Sequence, residues 1–219
     1  MADQSGSVYG LTILSPIKQN PSAEVSHSCA IRKVLAGMPR DERSPFAKVS
    51  STHMARLVVM DDVVFVGMPS CEEHLQSQYL IFETNFDGDL DTYLERMVDE
   101  IRDEVNAVWQ HCWGFPGTDE VSKFKAYMKN CQVTTTFFFA DVNDKTVQDT
   151  LLALQSQAAV SEFIERNQDK PPAEVQKQFA EFMQKLGNAP PPVPGRPGMG
   201  GPARMETKMV WASTMDGRR

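Results

Sequence analysis

Four stretches of this chain alternate apolar and polar positions, or are β-branched and aromatic throughout, over a strand's length. They are residues 8–18 (VYGLTILSPIK, read as a strand up to Pro16), 52–67 (THMARLVVMDDVVFVG), 79–86 (YLIFETNF) and 131–142 (CQVTTTFFFADV). A period of two places alternate side chains on opposite faces of a sheet, so each is read as a strand. Between and after them the period changes to three or four. Ser22 is a candidate N-cap for a helix with Val25, Cys29, Ile31 and Leu35 on one face and Gly37 as its stop. Asp89 caps a long helix whose stripe is Leu94, Met97, Ile101, Val105, Val108 and Cys112, opposite a solvated face of Glu95, Asp99, Glu100, Arg102, Asp103 and Glu104. A short helix follows near 119–130, then two more over 144–167 and 171–187, the last with Pro172 in its first turn and Gly187 at its end.

The order strand, helix, strand, strand, helix, strand is the βαββαβ unit. The fold class expected is therefore α+β, a ferredoxin-like antiparallel sheet with additional C-terminal helices. Helices cover one sheet face. The other face carries Phe137 and Phe139, or Phe138 on the other parity, and must also be shielded, since burying one phenylalanine contributes about 1.5–3 kcal/mol. A second copy, hence a homodimer, or the C-terminal helices would supply that cover. The domain reading is an α+β domain at 1–168, an amphipathic helix at 169–187, and a Pro/Gly-rich linker and tail at 188–219. The tail's one large anchor, Trp211, is either a docking residue for a partner or part of a disordered end.

Charge narrows the partners. With 22 Lys+Arg against 29 Asp+Glu the chain is acidic, which argues against a nucleic-acid surface built to meet phosphates. No run of eighteen apolar residues suggests a membrane span, and the N-terminus shows no secretory pattern. Cys29, Cys71, Cys112 and Cys131 are scattered without a CxxC pair, as reduced thiols of a cytoplasmic protein would be. No ligand set with zinc spacing, phosphate loop, serine elbow or cysteine-nucleophile signature occurs.

The motifs SPIK closing the first strand, STHMARLVVMDD, YLIFETNFDGDLDTYL and VWQHCWGFPG span roughly residues 8–142. Together they resemble a group of mostly uncharacterised bacterial and fungal proteins, which is similar in turn to the dimeric α+β barrel superfamily. HMARLVVM resembles the second strand of dye-decolorising peroxidases. That resemblance implies a dimeric barrel, a peroxidase- or monooxygenase-like oxidoreductase acting on an apolar or aromatic small molecule, and haem as a cofactor. The stretch matching the peroxidases' Gly-x-x-Asp-Gly motif is Thr84-Asn85-Phe86-Asp87-Gly88, without the first glycine, and residues 143–219 hold no second repeat.

Candidate chemistry gathers at one corner. His53 starts the second strand and Asp87 ends the third, so antiparallel pairing brings them together, with Asn85 and Arg56 nearby. A histidine beside a carboxylate is a candidate general base, Arg56 a candidate anion holder and Asn85 a substrate contact. The alternative is structural: Asp87-Gly88 is good turn chemistry, and Arg56 would pair with Glu83 or Asp87. Strand parity sets His53 with Ala55, Leu57 and Val59, opposite Arg56, unless a bulge intervenes. His111, at the end of the long helix, is either a haem or metal ligand or a cover for the Gly114–Gly117 turn; His27 and His74 stand alone. Two functions are carried forward. One is an enzyme with a pocket on the open sheet face; the other is a non-catalytic ligand-binding or protein-interaction module dimerising through that face.

Overall fold

Nine residues is the length the alternating segments settle on. The computed structural model describes residues 2–20, 22, 24–68 and 71–196. In it β1 (Gln4–Ser5), β2 (Val8–Pro16), β3 (Thr52–Met60) and β4 (Tyr79–Asp87) form one antiparallel sheet in the order β1-β2-β4-β3. The helices are α1 (His27–Gly37), α2 (Pro45–Lys48), α3 (Leu90–Trp109), α4 (Val121–Asn130), α5 (Val147–Asn167) and α6 (Pro172–Gly187). The protein is thus α+β, with helices packed on a four-stranded antiparallel sheet. No helix among the described residues is long and apolar enough to cross a membrane.

Two compact units divide the described chain. The first reaches Leu152 and takes back the segment beginning at Pro192; the second is Ala153–Pro191, so α5 leaves the first unit well before residue 168. In the first unit Tyr9, Leu11 and Ile13 of β2 and Leu80, Phe82 and Phe86 of β4 are buried with the inner stripe of α3: Tyr93, Leu94, Met97, Val98, Ile101, Val105, Val108 and Trp109. Phe86 stacks on Tyr93 at 3.8 Å between ring centroids, and Phe82 meets Trp109 edge-on at 5.4 Å. The Tyr93 hydroxyl shares hydrogen bonds with Thr52 and Thr84, which partners the one polar atom this ring takes inside. In the second unit α5 and α6 meet through Phe163, Phe179 and Phe182.

The expected strand at 131–142 is not formed. Cys131–Val133 alone lie along β2: Leu14 N–H donates to Cys131 O at 2.8 Å, Val133 N–H donates to Thr12 O at 2.9 Å, and Gln132 bridges Ile13. The rest of that edge is taken by the N-terminus. Gly6 turns the chain at φ +61°, laying β1 against Tyr9 and Val8. Asp3, Ser5 and Ser7 then intercept the incoming segment, binding Thr135 N–H, Ala140 N–H, the Asn143 amide and the Asn143 carbonyl. A Cβ at Gly6 would stand 2.2 Å from Asn143 O, so only glycine allows this approach. Phe138 folds over Gly10 on the helix-free face, while Phe137 and Phe139 stay 83% and 68% exposed. Three smaller corrections concern β3, α1 and α2. The strand expected over 52–67 ends at Met60, and residues 61–67 form no strand. Ser26, not Ser22, caps α1 by accepting from Cys29 N–H, and α2 forms where a loop was expected, with Pro45 in its first turn. Residues 197–219, including Trp211, lie outside the described residues.

Candidate functional site

His53 reaches its carboxylate because the strand register slips. Thr52 faces Phe86 and Met54 faces Asn85, leaving His53 as one extra residue in a bulge. From there its Nε2 lies 2.7 Å from Asp87 Oδ1. Asp87 belongs to the row Glu83, Asn85, Asp87 on the helix-free face of β4, since its alternates Leu80, Phe82, Thr84 and Phe86 are buried against the helices. Simple alternation would have sent His53 to the helix side with Ala55, Leu57 and Val59; the bulge releases it from that face.

Asp87 has a second task. Its Oδ2 accepts from Val147 N–H at 2.8 Å, so one carboxylate holds the His53 ring and the first residue of α5. The two side chains are partly shielded, with 24% of the His53 side chain and 13% of the Asp87 side chain exposed, although His53 as a whole residue is exposed. A carboxylate on Nε2 favours the tautomer with its proton there and leaves Nδ1 as the basic nitrogen. That nitrogen makes no hydrogen bond among the described residues.

Arg56 sits three residues after the bulged His53, opposite Glu83, and its guanidinium is committed to that carboxylate through Nε at 2.7 Å and Nη2. Asn85 lies between Glu83 and Asp87, across from Met54 on one side and Gly10 on the other. The structure therefore brings His53, Arg56, Asn85 and Asp87 to one end of one sheet face. A groove of about 580 Å³ passes this corner. It runs beside β3 rather than over the open face, between Thr52–Leu57 and the loop after α1 that carries Arg40 and Asp41. Asp41 is clasped by Arg43, which lowers its carboxyl to about 2, leaving Arg40 as the nearby cation with no partner among the described residues.

His111 is elsewhere. Its carbonyl accepts from Lys18 N–H beyond the end of β2 at Pro16, whereas Asp87 faces Val8 at the other end. Nine strand residues separate those ends by roughly 30 Å. Its Nδ1 lies 3.0 Å from Nδ1 of His27, and burial, then His27, then Lys18 push the His111 pKa below the ordinary histidine value. His27 is thus not alone, and neither is His74, which meets Asp62 at 2.7 Å. The His27–His111 pair spans 84 residues and has no local sequence signal. His111 and the groove lie at opposite ends of the sheet, so His111 does not serve the groove beside His53. Among the described residues no three His, Cys, Asp or Glu side chains gather as a metal site.

No family model, curated protein or solved structure matches this chain.

Proposed function

We propose that this chain is a small-molecule enzyme in which His53 acts as a general base at the groove beside β3. The observation carrying this is the 2.7 Å contact of His53 Nε2 with Asp87, made through a bulge and leaving Nδ1 unpartnered. Asp87 orients the ring and stabilises the imidazolium that forms when Nδ1 takes a proton. Arg40 would attract an anionic group on the substrate; Asn85 lies on the helix-free face of β4, does not line the groove and has no part in this reading. Arg56, held by Glu83, shapes the corner and acts less directly. Met38, Phe46, Met54 and Leu57 offer apolar walls, which suit an aromatic or aliphatic substrate body. Proton removal by His53 Nδ1 would leave a carbanion on the substrate, which can rearrange or be oxygenated by dioxygen as the external two-electron oxidant, in keeping with the oxidoreductase class implied by the sequence resemblance. A ferredoxin-like arrangement is part of this reading, supported by Cys131–Val133 lying beside β2 in the fourth strand's place.

The test is nuclear magnetic resonance of the His53 ring during titration with a panel of aromatic carboxylates. At least one should move the ring signals in the native protein and fail to bind His53→Ala and Asp87→Asn, with both variants still folded. If no member moves the signals, or if both variants unfold, the corner is structural.

A second reading is favoured by a separate observation. Phe137, Phe139, Met54 and Val58 are exposed, and a non-catalytic module dimerising through these apolar residues would cover them.

A further inference from the structure

The aromatic layer between the sheet and α3 leaves one polar atom unserved. Trp109, 2% exposed, packs edge-on against Phe82, and Phe46 of α2 stacks on Phe82 at 5.7 Å between ring centroids. The Trp109 Nε1–H has no hydrogen-bond partner among the described residues. An indole N–H only donates, so nothing but an acceptor brought to it can satisfy it. Trp109 also lines a small cavity of about 10 Å³, room for one water molecule at most. The other walls include Met38, Phe46, Leu57, Val105 and Val108, all apolar. Glu104 lines it too, but its carboxylate pairs with Lys48 at 3.4 Å.

This cavity adjoins the groove beside β3, because Met38, Pro45, Phe46 and Leu57 line both. Those four residues are the partition, and it is built to yield. Met38 and Phe46 are only half-buried, and a methionine side chain adapts readily to a new shape. Phe46 is carried by a helix of four residues whose N-cap, Ser44, makes no side-chain hydrogen bond. On the opposite wall α3 leaves helical geometry at Ile101, with φ −137° and ψ 34°. We propose that the groove opens through this partition to admit an aromatic carboxylate whose far end carries a carbonyl oxygen, and that this oxygen accepts from Trp109 Nε1–H. The inference rests on the reading of the groove as a substrate site and adds the substrate class. Arg40 meets the carboxylate at the groove, and the carbonyl takes the donor at the cavity. A hydrocarbon of the same shape leaves the indole N–H buried and unpaired, so the site discriminates against it.

Nitrogen–proton correlation spectra of the full-length protein test this, with the Trp109 indole signal assigned by its loss in Trp109→Phe. The probes are para-acetylbenzoate and para-benzoylbenzoate, each set against its hydrocarbon counterpart, para-isopropylbenzoate and para-benzylbenzoate. At least one ketone should move the Trp109 indole proton downfield and bind about tenfold more tightly than its counterpart. In Trp109→Phe, which keeps an aromatic ring without the donor, the two should bind alike. If no ketone moves the indole signal, or if ketone and hydrocarbon bind the native protein equally, the proposal is overturned. The His53 ring signals report the general-base reading separately. A ketone that moves them and leaves Trp109 untouched removes the buried acceptor site alone, whereas the reverse result keeps that site and removes the base. Should Trp109→Phe fail to fold, the ketone-to-hydrocarbon ratio in the native protein decides.

Discussion

Burial decides the chemistry of single residues here more than sequence neighbourhood does. Cys112 is buried and its thiol is pushed up to about 12 by burial and by the nearby Cys131, so it carries little thiolate at neutral pH. Iodoacetamide at neutral pH should label Cys29 and Cys71, which are exposed, long before Cys112; early loss of the Cys112 peptide by mass spectrometry would contradict that placement. His111 makes a second prediction. Its pKa in the folded protein lies below the unfolded value, so the unfolded chain binds the proton first as pH falls. Stability attributable to this group is intact above about pH 6.5 and declines below it until the folded pKa is passed. His111→Gln should flatten the acid side of the thermal-midpoint curve below about pH 6.5, the ordinary histidine value. Tyr93→Phe should cost about 1–3 kcal/mol in urea unfolding, because the buried Thr84 hydroxyl loses its partner.

Elements whose pattern is local were legible in the sequence. The stripe on α3, the Asp89 cap accepting from Thr92 N–H, the Pro172 start of α6 and the alternation of β3 and β4 rest on residues within a turn or two of one another. The stretch at 131–142 failed for a non-local reason. Its β-branched and aromatic residues favour a strand, but the matching edge of β2 is shared with Gln4–Ser5, and the side chains of Asp3, Ser5 and Ser7 draw the rest of the segment outside that position. The candidate corner was half legible. Antiparallel pairing placed His53 near Asp87, while the bulge that frees His53 from its expected face has no signature in Thr52-His53-Met54. The edge groove was not legible, because it depends on a loop and a return segment far apart in sequence. Gly6→Val should test the hairpin. It places a branched side chain at positive φ against Asn143, and circular dichroism melts should show a loss of at least about 1–3 kcal/mol.

In the whole molecule, folding leaves apolar surface uncovered. The first unit presents Phe137 and Phe139 to solvent, and the proposed homodimer would cover them. Light scattering should report twice the chain mass, and Phe137→Ser with Phe139→Ser should return it to one chain; a monomer in the native protein would remove the dimer.

The contact between Ser7 and Asn143 spans 136 residues. During translation the opening hairpin leaves the ribosome long before the stretch that wraps it. For most of synthesis the outer edge of β2 waits uncovered, open to pairing with another nascent chain. An affinity tag joined ahead of Gln4 would sit beside that vulnerable border.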